Sequence, residues 1–520
     1  MIQLRALLLV GEPPAGTFAR WLLLFALTLL LRSASLAYDV MDIDQAHWSI
    51  IGRMVQEGAV PYVDFADHKP PLLFYVFGAF AALTGGNLHV QALLVAMWVA
   101  ATAACVQLVA RRLTHSARAA FGAAVAYVAL SSCNVVTANG ELLSDLPMAA
   151  ALAVLADWRF ARLVLAGALT GIAALIRPQA AVLGVALAGT VVLTGVWGRL
   201  PKRLVGLVAL ALGAALPAAG AILPFYLNGL WAEFWDWNVA RNLTYPPPPA
   251  WGLILLQEVA AHLVGAMAWA VVLAARPYRD VLVRLWRREG AIEPTRVLLV
   301  LLVPLVCFAL SSGLRFYSHY FIQLALPLAL LAGPRLVALL GEASGPGARG
   351  RRTALAVAVL LPVLGFFAVN WVRGFLGTYP GQDAKVRAIA AFVNQPSLPA
   401  GRLALWGDST QLYLYTARMP ASRFYNAAPL VGNFDTHHVG DDFDVRPHIS
   451  HRDVATYLKD FEAHPPAVVV DASPSRLHDW HRLPMDAVEA VRDYVRAHYR
   501  LAGEPAGARV WVRKNASSLK

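Results

Sequence analysis

Long apolar runs alternate with short polar stretches along most of the chain. An α-helix needs about 20 mainly apolar residues to cross a bilayer, and about eleven segments meet this criterion, the fourth and fifth of them being short. They lie at 19–37, 88–110, 118–136, 145–158, 162–176, 179–197, 204–227, 252–275, 295–312, 320–341 and 353–373. The pattern predicts a mostly α-helical, polytopic membrane protein.

Basic residues gather after every second predicted span. Lysine and arginine are enriched in the cytoplasmic loops of membrane proteins. The basic clusters occur at 111–118, 159–162, 199–203, 276–288 and 335–352. This alternation predicts a cytoplasmic N-terminus and places the segment after residue 375 on the outer, periplasmic face of a bacterial inner membrane.

Hydrophobicity falls after about residue 377, where a different pattern begins. Short apolar runs bounded by turn residues are typical of buried strands. We predict strands at 402–406, 467–470 and 508–512, and helices at 386–393, 410–416 and 485–498. The alternation predicts a small external α/β domain at 375–520, following a transmembrane domain at 1–374.

Composition agrees with this division and excludes a soluble protein. The 520 residues are 58% hydrophobic and 15% charged, whereas soluble domains carry about 25% charged residues. The net charge of +12 comes from basic loops suited to anionic lipid, so we expect membrane lipid and no nucleic acid as a partner. The three cysteines lie in apolar segments, which leaves the external domain without a disulfide framework: Cys105, Cys133 and Cys307.

The first external loop, 38–70, contains an amphipathic segment that we interpret as an interfacial helix. Four apolar side chains share one face of 45–57, and three polar ones lie opposite: Ile50, Ile51, Met54 and Val55 against Ser49, Arg53 and Gln56. Such a helix lies along a membrane surface. Asp42 is placed to cap it, with Gln45 as the reciprocal partner of a capping box.

Asp44 and Lys69 in this loop suggest group-transfer chemistry. A carboxylate at the outer membrane surface suits a general base that activates an acceptor hydroxyl or amine for attack on a sugar carbon. Lys69 is a point charge suited to a leaving phosphate, and Pro70-Pro71 constrains its position. The alternatives are that Asp44 only complements the helix dipole and that Lys69 extends toward the membrane interface.

Four arginines on the external side oppose the charge bias of the topology, which makes them candidates for binding an anion: Arg53, Arg177, Arg241 and Arg315. A charged residue near bilayer depth costs about 2.5–3.5 kcal/mol on insertion scales, so Arg177 should have a partner or ligand. For Arg53 and Arg241, pairing with nearby carboxylates or with interfacial lipid is an equally good interpretation as binding of an anionic ligand.

The first external loop resembles that of the GT-C superfamily of polyprenyl-phosphate-sugar glycosyltransferases. It is most similar to the bacterial branch with lipid A aminoarabinose transferases, lipopolysaccharide-core galacturonosyltransferases and relatives of protein O-mannosyltransferases. The elements that carry the resemblance are Asp44-Gln45, Gly58, Pro61-Tyr62, Lys69-Pro70-Pro71-Leu72 and Tyr75. Gln45 stands where this branch usually has Glu. The resemblance implies that Asp44 is the catalytic base and Lys69 a ligand of the donor phosphate.

Other segments extend the resemblance. Asn139-Gly140-Glu141 lies where these enzymes place a second acidic residue, so Glu141 is a second catalytic candidate, with an ordinary loop acid as the alternative. Arg177-Pro178 and the segment 315–320 resemble elements of these enzymes near the lipid phosphate, which adds Arg177, Arg315 and His319 as donor-phosphate ligands. The alternative for 315–320 is a belt of aromatic side chains at the membrane interface with one arginine extending to the headgroups. We assign acceptor binding or loop positioning to five further residues: Asp42, Tyr62, Asp67, Tyr317 and Tyr320.

The sequence thus predicts an inverting glycosyltransferase that moves a sugar from a polyprenyl-phosphate donor to a cell-envelope acceptor, which is a glycolipid, lipopolysaccharide, glycan or protein. Asp42 and Asp44 offer hard oxygen ligands for a divalent cation. Lysine and arginine can neutralise the phosphate instead, so we expect no metal, and the spacing of five C-terminal histidines matches no zinc site. The alternatives are a transporter or flippase for the lipid-linked sugar and a non-catalytic envelope assembly factor.

Overall fold

The computed structural model describes residues 14–194, 196–244, 247–248, 250–342, 348–434, 436 and 439–514. Its α-helices in chain order are α1 (Pro14–Leu31), α2 (Ala34–Ala37), α3 (Ile43–Gln56), α4 (Pro71–Thr84), α5 (Leu88–Thr114), α6 (Ala117–Ser131), α7 (Gly140–Val154), α8 (Phe160–Ile176), α9 (Val182–Thr194), α10 (Leu200–Leu227), α11 (Trp231–Trp235), α12 (Arg241–Thr244), α13 (Trp251–Glu258), α14 (Ala268–Arg287), α15 (Pro294–Leu310), α16 (Ala325–Glu342), α17 (Ala348–Phe375), α18 (Ala384–Val393), α19 (Gln411–Thr416), α20 (His451–Ala463) and α21 (Glu489–His498). The mostly helical class predicted from the sequence is confirmed.

Each of the predicted spans contains an α-helix, but few of these helices are long. Within the described residues, four helical stretches are long and apolar enough to cross a membrane: Leu88–Thr114, Leu200–Leu227, Ser318–Gly341 and Arg349–Val393. A bent helix pair would make a fifth. These helices support a membrane location, whereas the number of eleven spans and the topology stay predictions.

The predicted span at 252–275 is not one straight helix. Helix α13 continues as a π-helix, Val259–Ala266, and the helical structure is interrupted at Met267 before α14 begins. The two helical parts are bent by 77° at this break. Irregular turns of this kind interrupt the regular i to i+4 hydrogen bonding and are frequent at functional sites.

By their internal contacts, the residues form two compact units, each made of separate chain segments. Unit 1 comprises Met1–Ala37, Ala92–Pro224 and Gly252–Val372. Its helices α6 and α16 approach closely at Gly333, where an added Cβ would lie only 2.5 Å from the Cα of Ala123. Small residues at such crossings are typical of membrane helices, which associate through close packing.

Unit 2 comprises Tyr38–Gln91, Phe225–Trp251 and Arg373–Lys520. It contains a four-stranded sheet in the order β1-β2-β4-β3, with β1 (Leu403–Trp406), β2 (Val468–Asp471), β3 (Tyr499–Gly503) and β4 (Arg509–Arg513). Strand β1 pairs with β2 in parallel, and the other two pairs are antiparallel. Residues 38–70, the predicted first external loop, therefore belong to the same unit as the C-terminal segment.

Two elements of the C-terminal segment were not predicted from the sequence. Strand β3 buries Tyr499 but exposes the next two side chains, so it has no apolar run. Helix α20 is mostly polar and buries Val454, Tyr457 and Phe461 at helical spacing. Its pattern has the period of an amphipathic helix, and a search for that period rather than for apolar runs would have found it.

Candidate active site

Helix α3 begins at the predicted cap and places Asp44 in its first turn. Asp42 is extended, with φ −142° and ψ 145°, and its Oδ1 accepts a hydrogen bond of 3.0 Å from the backbone N–H of Asp44. The Asp44 side chain is 33% exposed. A carboxylate here complements the positive end of the helix dipole and remains accessible to a ligand.

Gln45 does not complete the capping box in the predicted way. Its Oε1 accepts a hydrogen bond of 3.1 Å from the backbone N–H of Met41 instead of Asp42, and the side chain is buried. An amide oxygen satisfies this donor without placing a negative charge in the interior, where an unpaired charge is costly. This contact gives a structural reason for glutamine at a position where glutamate is usual in the resembling branch.

Helix α3 is more enclosed than the predicted interfacial helix. Ile50, Ile51 and Met54 are buried as expected, but Ser49 of the predicted polar face is buried too. A Cβ on Gly52 would lie 2.5 Å from the backbone oxygen of Phe77 in α4. Helix α4, which follows Lys69 directly, therefore packs against the helix that carries Asp44.

The backbone of Lys69 is held by hydrogen bonds on both sides. Its N–H donates to Asp67 Oδ1 at 2.8 Å. Its carbonyl oxygen accepts from the Tyr62 hydroxyl at 2.7 Å and from Asn238 Nδ2 at 3.2 Å. Asn238 also donates to the Tyr62 oxygen at 2.7 Å. We call residues 61–70 the lysine loop, and its geometry is fixed by these contacts.

Tyr62 holds this loop from a strained backbone position. Its φ of 68° lies in the left-handed region, which is a genuine outlier for a bulky residue. The side chain is fully buried and contacts the rings of Phe74, Phe225 and Phe234. Burial of the ring and the hydroxyl's hydrogen bonds together hold the strained conformation. The role of Tyr62 in loop positioning stays a prediction.

Asp67 links the lysine loop to the C-terminal segment. Its Oδ2 accepts a hydrogen bond of 2.6 Å from the Tyr425 hydroxyl. Burial, together with the Asp67 carboxylate, raises the pKa of Tyr425 well above its usual value, so the hydroxyl remains a donor. The contacts of Asp67 are thus compatible with loop positioning. The Lys69 ammonium lies beside the His68 ring, with 3.0 Å between Nζ and Nε2.

Glu141 and Arg177 form a buried ion pair in unit 1. Asn139 caps α7, and its Oδ1 accepts from the backbone N–H of Leu142. This start places Glu141, which is 1% exposed, 2.6 Å from the Arg177 guanidinium. The carboxylate is the partner that the sequence required for Arg177.

The segment 315–320 lies beside this pair. The Arg177 guanidinium lies 4.7 Å from the centroid of the Tyr320 ring, and His319 Nε2 lies 3.9 Å from a Glu141 oxygen. Arg315 donates to the Tyr317 hydroxyl at 3.0 Å. The structure thus groups six of the predicted site residues in unit 1: Glu141, Arg177, Arg315, Tyr317, His319 and Tyr320. The other five, Asp42, Asp44, Tyr62, Asp67 and Lys69, lie in unit 2.

Arg241 has carboxylate partners. Its guanidinium donates to both oxygens of Asp453, at 2.8 and 3.0 Å, and to Asp236 at 3.1 Å. It also lies 3.8 Å from the centroid of the Trp237 ring. A bidentate pair stacked on an aromatic ring suits a structural role. Of the two interpretations of Arg241, pairing with carboxylates agrees with the structure.

Sequence reasoning missed Asn238, which contacts both Tyr62 and Lys69. It lies in a π-helix, Asp236–Ala240, that interrupts the helical segment after α11. No local pattern marks this turn, and the contact spans 176 residues of sequence.

The described residues contain no group of three or more His, Cys, Asp or Glu side chains that could hold a metal ion. Asp42 directs one carboxylate oxygen back to the helix backbone. Among the C-terminal histidines, His448, His451 and His464 are described, whereas His437 and His438 lie outside the described residues.

Comparison with known proteins gives one family match and several structural neighbours. Residues 68–220 match the family described as dolichyl-phosphate-mannose-protein mannosyltransferase. No curated protein matches the chain by sequence at a significant level. The family match includes Lys69, Glu141 and Arg177 but not Asp44.

The structural neighbours span nearly the whole chain. ArnT from Cupriavidus metallidurans bound to undecaprenyl phosphate aligns with a TM-score of 0.60 and 17% identity, over 95% of this chain and 98% of ArnT. Its apo form aligns with a TM-score of 0.58 and 16% identity, over 96% and 98%. The archaeal oligosaccharyltransferase AglB from Archaeoglobus fulgidus, in complex with an inhibitory peptide and a dolichol-phosphate, aligns with a TM-score of 0.53 and 12% identity, over 96% and 74%. At these identities the likeness shows a shared fold.

Proposed function

We propose that this chain, whose resemblance to the GT-C superfamily of polyprenyl-phosphate-sugar glycosyltransferases is confirmed, transfers a sugar from a polyprenyl-phosphate donor to an acceptor in the cell envelope. We further propose that it acts at the outer face of a bacterial inner membrane. ArnT and AglB were each solved with a polyprenyl or dolichol phosphate, which supports a lipid phosphate as the leaving group.

The observation that supports this function most is the joint position of Asp44 and Lys69 in one compact unit. Asp44 is accessible at the start of a buried helix, and Lys69 sits on a loop whose backbone is held by four hydrogen bonds among Tyr62, Asp67, Asn238 and the loop itself. Positioned groups of this kind lower a barrier because their orientation is set before the substrates react.

In the proposed reaction, Asp44 takes the proton from the acceptor hydroxyl or amine. The acceptor atom bonds to the anomeric carbon from the face opposite the phosphate. The bond between that carbon and the phosphate oxygen breaks, and its electron pair stays with the phosphate. This displacement inverts the anomeric configuration, and the base contributes about 10²–10⁴-fold to the rate.

Cationic groups stabilise the departing phosphate in this proposal. Lys69 is the proposed point charge of unit 2. Within unit 1, Arg177, Arg315 and His319 are the donor-phosphate ligands that the resemblance implies. A guanidinium carries five N–H groups, so the ion pair between Arg177 and Glu141 does not prevent contact with a second anion. Such preorganised charge acts where negative charge develops in the transition state.

The test compares Asp44→Asn with the wild-type protein in envelope membranes supplied with radiolabelled polyprenyl-phosphate sugars. We expect transfer to fall by about 10²–10⁴-fold, because asparagine cannot accept the acceptor proton. The amount of protein in the membrane should not change, since Asp44 is partly exposed and its backbone contact remains.

Asp64→Asn is the matched control in the same loop. Asp64 is exposed, and its Oδ2 accepts a hydrogen bond of 2.7 Å from the backbone N–H of Val60, which an asparagine oxygen can also accept. This variant should transfer at the wild-type rate. Transfer by Asp44→Asn at the wild-type rate would exclude Asp44 as the base, and a wild type inactive with every donor would contradict the proposed function.

A lipid-linked-sugar transporter is the second candidate, and the bend between α13 and α14 favours it. Transporters often form substrate sites where apolar helices are broken, and this pair bends by 77°. Movement of a labelled lipid-linked sugar across vesicles, without a covalent product, would support this alternative.

A further inference from the structure

His47 lies between two carboxylates in unit 2. It is one turn after Asp44 on α3, with its Nδ1 3.8 Å from Asp44 Oδ1. Its Nε2 lies 3.0 Å from Oδ1 of Asp408, which follows strand β1. The imidazole is 12% exposed, whereas the Asp44 and Asp408 side chains are 33% and 28% exposed. The ring is therefore shielded while both of its acidic neighbours reach solvent.

Each ring nitrogen has a carboxylate oxygen within ion-pair distance, at 3.8 Å from Nδ1 and 3.0 Å from Nε2, which favours a particular protonation state. A neutral imidazole carries one N–H donor and one acceptor, and only the imidazolium carries two donors. An acceptor nitrogen facing a carboxylate would be repelled. The geometry around His47 therefore fits an imidazolium.

The surroundings of the ring are acidic. Burial lowers the pKa of His47, but the carboxylates of Asp408, Asp44 and Asp67 outweigh this effect and raise it to about 9. The Tyr425 ring meets the imidazole edge-on, with 5.4 Å between centroids. The ring is therefore a cation at neutral pH.

The titratable groups on α4 and α19, the two helices that pack against α3, are tyrosines. Helix α4 carries Tyr75, and α19 carries Tyr413 and Tyr415. Burial raises the pKa of all three tyrosines, so they stay neutral where His47 titrates.

We propose that His47 is a positioning residue whose imidazolium joins Asp44 to Asp408, so that the C-terminal segment holds the catalytic base in place. The inference rests on the proposed function of Asp44. A partly exposed aspartate in a first helical turn can adopt several rotamers. The His47 imidazolium, which is held by Asp408 at its second ring nitrogen, restricts the rotamers of Asp44. Displacing a catalytic group by about 1 Å can lower a rate by about 10²-fold.

The main test is the pH dependence of sugar transfer in the full-length protein, comparing wild type, His47→Gln and Asp408→Asn. Wild-type transfer should decline as pH rises through about 9, where His47 loses its proton. Removing the strongest acidic partner should shift this decline in Asp408→Asn by about 1–3 pH units toward neutral pH. His47→Gln should lower kcat by about 10²-fold. Because this variant has no imidazole to titrate, its transfer should show neither the decline near pH 9 nor the shifted one.

Asp441→Asn is the matched control, because it removes another pair of the same chemistry in the C-terminal segment. Asp441 Oδ1 lies 3.1 Å from His481 Nε2 on the exposed side of that segment. Its pH profile should follow the wild type. An Asp408→Asn profile identical to that of the wild type would overturn the inference.

A second measurement does not depend on activity. The folded-state pKa of His47, about 9, lies above the unfolded value of about 6.5. Its ionic contacts thus stabilise the folded state fully below pH 6.5, and this contribution is lost as pH rises through 9. The difference in Tm between wild type and His47→Gln should be large at pH 6 and should disappear at pH 10.

The two measurements separate this inference from the proposed function. A wild type that transfers no sugar from any donor contradicts the proposed function, and a Tm difference that closes with pH then still supports the imidazolium bridge. An equal Tm difference at both pH values shows a ring that only packs, and it overturns the bridge.

Discussion

At the scale of single residues, the buried pair of Glu141 and Arg177 contributes to the stability of unit 1. Both side chains are almost fully shielded, and their charged atoms are 2.6 Å apart. Breaking a buried ion pair from one side costs about 3–5 kcal/mol, because the remaining charge stays buried without compensation. The pair is therefore a determinant of stability whether or not Arg177 also contacts a phosphate.

Glu141→Gln should lower the free energy of unfolding by about 3–5 kcal/mol. Adding Arg177→Gln should recover part of the loss, since the second change removes the uncompensated cation. The measurement is a double-mutant cycle of unfolding in detergent. Strictly additive losses would contradict the pairing.

An exposed pair provides the matched control for this cycle. Asp157 and Arg162 lie 3.2 Å apart, but both side chains are about one third exposed. Asp157→Asn should cost less than about 1 kcal/mol, because solvent screens such pairs.

Local contacts at this scale were predictable, and distant ones were not. The cap formed by Asp42 spans two residues and follows from the sequence pattern alone. The pairing of His47 with Asp408 joins α3 to a strand end more than three hundred positions later. No periodicity or spacing records such a contact, so His47 had no predicted role.

At the scale of elements, the position of most helices was predictable because apolar runs mark them directly. The predicted span at 88–110 corresponds to helix α5, Leu88–Thr114. The break at Met267 inside the span predicted at 252–275 was not predicted, since this stretch contains no proline to mark the kink. Hydropathy reports burial in lipid but is insensitive to helix direction.

The close approach of α6 and α16 makes a prediction about glycine. Gly333→Ala should destabilise the protein, because the new Cβ would lie 2.5 Å from the Cα of Ala123 and the helices would have to separate. We expect a loss of about 1–3 kcal/mol, measured by thermal unfolding in detergent.

Gly365→Ala in α17 is the control for a helical glycine with open space around it. A Cβ there meets no atom within 4 Å. Alanine should be neutral or stabilise the helix by up to about 1 kcal/mol, because it reduces the entropy of the unfolded chain. Equal losses in both variants would show that helix separation is not the cause.

At the scale of the whole molecule, unit 2 is assembled from three distant parts of the chain. The segment 38–70, the segment around Asn238 and the C-terminal segment are joined by hydrogen bonds and ring contacts. The sequence boundary at 374/375 marks the change in hydropathy, but contacts group 38–91 with the residues that follow it. Hydropathy describes the surroundings of a segment and does not identify its partners.

Tyr425→Phe should therefore affect a loop that is distant in sequence. The variant removes the donor to the buried carboxylate of Asp67 and should cost about 1.5–3 kcal/mol, the range for hydrogen bonds to charged groups. Sugar transfer should fall as the lysine loop loosens, and limited proteolysis should cut within 61–70 more readily.

Tyr494→Phe, in the partly exposed part of α21, is the control and should change neither stability nor transfer. An intact lysine loop and full transfer in Tyr425→Phe would show that the contact with Asp67 is not needed for either.

The bond between Asp67 and Tyr425 also has a consequence for biosynthesis. It joins residues 358 positions apart. Ribosomes add about 5–20 residues per second, so Tyr425 is made roughly 20–70 s after Asp67. During that interval the nascent chain already contains both Asp44 and Lys69, yet the tyrosine that orders the lysine loop does not exist. If the chain has the proposed function, a half-made chain should therefore be unable to consume a lipid donor, and transfer should begin only after Tyr425 has been added.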